Sequence, residues 1–151
     1  MDKPTTYRQL YAQIAALIKD EDDTISALAN TCAAIHTAFG FWWTGFYLWR
    51  GDSLHLGPFQ GPVACTRIAA GRGVCGTAYQ QGETIIVPNV KEFPGHIACS
   101  SLSRSEIVVP VKDTDGNVKA VIDIDSRKLA AFDDTDRTHL ERIAGLISHI
   151  I

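Results

Sequence analysis

The run EIVVPVKDTDGNVKAVIDID, residues 106–125, limits the fold more than any other part of the chain. Its two halves are rich in β-branched residues, and DTDG joins them with Asp115-Gly116 at the turn. That is the pattern of a β-hairpin, so an antiparallel pair is expected here. Elsewhere the periodicity is helical. Tyr7, Leu10, Tyr11, Ile14, Leu17 and Ile18 recur at helix spacing, as do Ile25, Leu28, Ala29, Cys32, Ile35 and Phe39. Thr24 is the expected N-cap of the second helix and Gly40 its stop. FWWTGFYLW from Phe41 reads as a strand, SLHLGPF as a weaker one, GVCGTAYQQ as a short helix and TIIVP as a short strand. Leu140, Ile143, Ala144, Ile147 and Ile151 stripe a last helix that begins near the acidic FDDTD. The order α-α-β-β-(α)-β-β-β-α suits an α+β domain, an antiparallel sheet with helices packed on it. At 151 residues, a single domain spanning 1–151 is expected.

The formal charge is −3 and no Lys/Arg run stands out, which argues against nucleic acid or an anionic membrane as a partner. The N-terminal MDKPTTYRQL has no apolar signal core, and no apolar run reaches the length of a membrane span. A cytoplasmic protein is therefore expected. Structural disulfides are rare in that compartment, and clustered cysteines point to redox chemistry or metal. Cys65, Cys75 and Cys99 do cluster, in the turn-rich stretch between Gly57 and Ser105. Loops of that length inside a compact domain are usually functional.

Cys32 differs from the other three cysteines. It sits on the apolar stripe of the second helix and reads as a packed core thiol. For the others, two chemistries compete. Zinc would draw on His96 and Cys99 of HIAC together with Cys65 and Cys75, but there is no C-x-x-C knuckle and the intervals are irregular. No metal site is expected. Thiol redox needs one thiolate to attack an oxidised substrate and a second thiol to resolve the product as a disulfide. The attacking thiol needs nearby positive charge or a helix N-terminus to ionise. His96 and Arg104 flank Cys99 in sequence, although Arg104 reads equally well as a solvated surface residue.

Asp123 and Asp125 alternate with Ile122 and Ile124, so both aspartates share one face of their strand. Either the Ile face packs inward and the aspartates are exposed, or the Asp face lines a pocket. In a pocket, paired carboxylates repel and at least one tends to hold a proton near neutral pH. Glu106 opens the neighbouring apolar run. In FWWTGFYLW, alternation places Trp43 and Tyr47 on one face, as core packing or as an aromatic wall for a small ligand.

WTGFYL, GPFQGPVACTRI, GRGVCGTA, VPNVKEFPGHIAC, SRSEIVVPV and VIDIDS, in that order, resemble the free methionine-R-sulfoxide reductases, enzymes built on a single GAF domain. The resemblance spans nearly the whole chain. It implies reduction of free methionine-(R)-sulfoxide to methionine, with no cofactor, with thioredoxin as reductant, and in a homodimer. It implies that Cys99 attacks, that Cys65 is its disulfide partner, and that Cys75 resolves or recycles. The family's pocket carboxylates fall on Glu106, Asp123 and Asp125, and its aromatic wall on Trp43 and Tyr47. Two departures concern loop packing: Ser100 and Ser101 stand where the family usually has an acidic residue, and Ala69-Ala70 precede GRGVCG where PF is common. The rival class is a non-catalytic GAF module that binds a small regulator. No output domain follows within these 151 residues, so the enzyme is the stronger expectation.

Overall fold

The computed structural model describes residues 1–97 and 102–151. Its elements are α1 (Lys3–Ile18), α2 (Thr24–Phe39), β1 (Trp43–Arg50), β2 (Ser53–Gln60), β3 (Arg67–Ala69), α3 (Gly73–Gln81), β4 (Ile85–Val87), β5 (Ser105–Lys112), β6 (Val118–Ser126) and α4 (Asp134–Ile147), with a 3-10 turn at Val90–Glu92. The expected hairpin is β5–β6. Asp113 shapes its turn by accepting the backbone N–H groups of Asp115 and Asn117, each at 2.9 Å. The sheet has the order β3-β2-β1-β6-β5-β4, and all neighbours run antiparallel.

The helix ends follow local chemistry. Asp2 caps α1 by accepting the Thr5 N–H, and Pro4 occupies the first turn, where a missing N–H costs nothing. The N-cap of α2 is Asp23 rather than the expected Thr24: its carboxylate accepts the Ser26 N–H at 2.8 Å, while the Thr24 hydroxyl turns to the Ile150 carbonyl. Gly40 ends α2 in the left-handed region, as expected. Asp133 and Asp136 form a reciprocal capping box on α4.

The apolar stripes are narrower than the periodicity suggests. Leu17 is 43% exposed and Ile25 is 49% exposed, while Ala27 and Thr31 are buried in their neighbourhood instead. The buried arc of α2 must face α1 and the sheet at once, which shifts it toward Ala27, Leu28, Thr31, Cys32 and Ile35. Strand β3 and the 3-10 turn were not legible, because three residues are too short to show a period.

Both faces of the sheet are covered. Alternation sends Phe46, Leu48, Ile107, Val109, Ile122 and Ile124 into one core beneath α1, α2 and α4. It sends Trp43, Tyr47, Val108 and Val121 into a second cluster with Val74, Cys75 and Ala78 of α3. Helix α3 lies very close to β3. A Cβ on Gly76 would stand 2.3 Å from the Ala69 carbonyl oxygen, so GVCG needs its second glycine for packing.

Candidate active site

Strand register builds the site. Asp125 of β6 lies opposite Trp43 of β1 on one side and Glu106 of β5 on the other. Asp123 lies opposite Gly45 and Val108. All these residues face α3, so the hairpin and β1 present three carboxyl groups and an indole to one space. On the β1 side of Asp123, at Gly45, there is no side chain, and the Trp43 indole occupies the room. A Cβ on Gly45 would meet the indole at 2.4 Å and Phe59 at 2.6 Å. The indole stacks on Phe59 at 5.2 Å and on Tyr47 at 5.9 Å between ring centroids, forming a continuous aromatic wall.

The wall also holds a loop. Trp43 Nε1–H donates to the Pro62 carbonyl and the Tyr47 hydroxyl donates to the Cys65 carbonyl, both at 2.9 Å. The segment between β2 and β3 is thereby pinned over the pocket, and it carries Cys65. Of the residues singled out by sequence, Trp43, Tyr47, Cys75, Glu106, Asp123 and Asp125 line one pocket. Cys65 sits in the pinned loop and is disulfide-bonded. Cys75 and Cys32 carry free thiols. Cys99 lies outside the described residues. The alternative drawn for the Asp face, exposed or pocket-lining, resolves in an unforeseen way: the Ile face packs inward and the Asp face is buried too, because α3 and two loops cover it.

Burial governs the electrostatics. Asp123 is only 6% exposed, and its Oδ1 is the one buried side-chain oxygen or nitrogen among the described residues without a hydrogen-bond partner. Ser103 donates to Asp125 Oδ1 at 3.0 Å. His96 Nε2 stands 3.7 Å from Glu106 Oε1. Burial, reinforced by Asp125, pushes the Glu106 carboxyl up to about 8. Burial and the Glu106 charge raise Asp123 well above the usual range, and burial and the Asp123 charge do the same for Asp125. The Cys75 thiol lies in the first turn of α3, where a helix dipole favours a thiolate, but burial and then the charges of Asp123, Glu106 and Asp125 drive it strongly upward. Desolvation wins, and Cys75 is held as a thiol. Burial lowers His96, with Asp123 opposing.

The arrangement can keep protons on carboxyl groups near neutrality, bind a cationic group at Asp123 and enclose an apolar end against the aromatic wall. A Cys75 sulfur atom and carboxylate oxygens of Glu106 and Asp123 also lie within 4.8 Å of one another, a spacing from which a metal ion could be held. Sequence reasoning missed Ser103, Gly45 and the pairing of His96 with Glu106. Only the SRSE context hinted at the first, and nothing local could show the others. Arg104 is exposed and serves the sheet through its backbone, accepting from Val90 N–H and donating to the Ser126 carbonyl.

Known proteins share this architecture. The model of the GAF domain family matches residues 18–151. A GAF domain-containing protein A of Dictyostelium discoideum is 52% identical over 97% of this chain and 93% of its own length. The free methionine-R-sulfoxide reductase of Saccharomyces cerevisiae is 40% identical over 98% of this chain and 87% of its own. The X-ray structure of free methionine-R-sulfoxide reductase from Neisseria meningitidis, in complex with its substrate, superimposes with a TM-score of 0.95 at 51% identity, covering 98% of this chain and 89% of that one. By sequence and by fold, the chain belongs to the free methionine-R-sulfoxide reductase family of GAF domains.

Proposed function

We propose that this chain reduces free methionine-(R)-sulfoxide to methionine. The observation that carries the reading is the pocket itself: buried carboxyl groups that favour holding a proton, facing an aromatic wall that pins a cysteine-bearing loop. Oxide is a poor leaving group, so the sulfoxide oxygen must gain a proton as its sulfur is attacked. Glu106 is the donor we assign, being protonated at neutral pH and adjacent to His96. The Cys99 thiolate attacks sulfur. The oxygen passes to the Cys99 sulfur as a sulfenic acid, and methionine leaves with its sulfur reduced by two electrons. The Cys65 thiol then condenses with the sulfenic acid, forming a disulfide and releasing water.

A dithiol of the thioredoxin class returns two electrons and restores both thiols. That Cys65 is found oxidised while Cys75 is a thiol accords with a resolving role for Cys65. Cys75, held protonated, is a poor nucleophile and falls to recycling. The unpartnered Oδ1 of Asp123 accepts from the substrate ammonium, with Asp125 beside it, while Trp43 and Tyr47 receive the S-methyl end. In the same reading the enzyme is a cytoplasmic homodimer.

The test is reductant consumption with the R and S epimers of free methionine sulfoxide and with a peptide carrying the sulfoxide internally. Turnover of the free R epimer, with little of the others, is expected. Equal rates on free and peptide-bound substrate would remove the enclosed pocket from the account.

A further inference from the structure

We propose that Cys75, Glu106 and Asp123, with His96 beside them, form a reversible inhibitory site for a thiophilic divalent cation of the Zn2+ type. The donors come from three separate elements, α3, β5 and β6, whose packing brings one atom of each within 4.8 Å of the others, all buried. His96 Nε2 lies beside this trio, 3.7 Å from Glu106 Oε1. Zinc bonds of roughly 2.0–2.3 Å in a tetrahedron put neighbouring donors roughly 3.3–3.8 Å apart. The His96–Glu106 spacing already has that value. The Cys75–Glu106–Asp123 trio, bounded at 4.8 Å, needs a contraction of about 1 Å at most to reach that spacing.

A separate observation points to a cation. Among the described residues Asp123 Oδ1 is buried without a hydrogen-bond partner, and a buried carboxyl oxygen in that condition is costly unless something completes it. The donor set selects the ion. One sulfur and two carboxylate oxygens suit a four-coordinate borderline ion that keeps an open position, whereas Mg2+ and Ca2+ require six or more oxygens. The sequence lacks a Cys/His knuckle. The carboxylate-bearing set exists only because β5 and β6 pair as they do.

Resting on the proposed reductase activity, one consequence follows. The ion would occupy the corner that we assign to the substrate ammonium and to the acid, so it would compete with free methionine sulfoxide. It would also lock Cys75 as a metal thiolate, releasing the thiol proton together with the carboxyl protons held by Glu106 and Asp123.

The experiment titrates the reduced, metal-free full chain with Cd2+ while recording thiolate-to-metal charge-transfer absorption, and with Zn2+ by calorimetry. A Cys65→Ser/Cys99→Ser variant removes the other two thiols of the cysteine cluster. We expect one ion per chain and a charge-transfer band that persists in this double variant. Adding Cys75→Ser should abolish the band. Asp123→Asn, in the same background, should weaken Zn2+ binding by at least about ten-fold. Circular dichroism confirms folding of each variant, and the Asp123→Asn measurement stands if Cys75→Ser does not fold. A band surviving Cys75→Ser, or no binding by the folded double variant, overturns the site. Stoichiometric binding that free methionine sulfoxide does not displace overturns the competition. Binding by a chain that never reduces the sulfoxide leaves the site standing and removes the proposed function instead.

Discussion

Ile124 and Asp123 are neighbours in β6 and lie on opposite faces of one sheet. On the Ile124 side, the sheet meets α1, α2 and α4 through a core of apolar side chains. The buried acid within that layer is fully partnered: Asp136 accepts from the Tyr7 hydroxyl, from Lys3 Nζ and from the Asp133 N–H. On the Asp123 side, Asp123 and Glu106 are buried, Asp125 is partly so, and an oxygen of Asp123 has no partner among the described residues. The two faces share strands, twist and register, yet only one of them resolves its polar groups internally. The contrast separates the two duties of the sheet. The helix face lowers the free energy of folding. The pocket face retains an unfavourable concentration of charge that a ligand or a proton must satisfy, as functional sites commonly do.

The largest effects are expected from the cysteines assigned to the redox chemistry. Cys99→Ser should abolish even a single turnover, while Cys65→Ser should still release about one methionine per chain and then stall. Methionine released without reductant, with thiols counted before and after, checks both. A full single turnover by Cys99→Ser would move the attack to another sulfur. Next, Asp123→Asn should lower turnover by roughly 10–10²-fold, because the substrate ammonium loses a charged partner, while the melting temperature holds or rises, because the shape stays and a buried acid goes. Normal kinetics in this variant would return the Asp face to a structural role.

Ile124→Ala should do the reverse. It opens a cavity in the helix-side core and should cost about 2–5 kcal/mol of stability, with kcat within a few-fold of wild type well below the melting point. Denaturant titration and a low-temperature assay read the two quantities separately, and a loss of kcat matching that of Asp123→Asn would show that the faces are not independent. A smaller effect separates the faces by pH. The Glu106 carboxyl is raised to about 8, so the stability associated with its proton is present at lower pH and is lost as pH rises through that value. Glu106→Gln should therefore melt a few degrees above wild type near pH 9, with the gap narrowing toward pH 6. A gap that does not vary with pH would contradict the burial of a titrating acid there.

The smallest change is expected from Cys32→Ser. The Cys32 thiol faces the Pro58 carbonyl at 3.2 Å, and a serine hydroxyl can donate to the same oxygen. About 1 kcal/mol of stability should be lost, with activity intact. Any loss of turnover would place this core thiol in the redox chemistry.

What the sequence by itself determined are the features set by contacts close along the chain. Asp113 and Gly116 make the β5–β6 turn, Gly40 stops α2, and Ile122 and Ile124 must oppose Asp123 and Asp125, because a strand turns each side chain over from the last. The family resemblance added the identity of the pocket residues, since GVCG, SRSE and VIDIDS keep their order even though no local rule joins them. Tertiary structure alone decided whether the Asp face met solvent or lined a pocket. That depended on α3 docking on β3 through Gly76, on Trp43 lying across Gly45, and on Tyr47 and Trp43 pinning the loop that carries Cys65. It also decided the chemistry of the acids. A carboxyl group's proton affinity is set by the water it loses and the charges it gains, and both are fixed by packing between segments far apart in the chain.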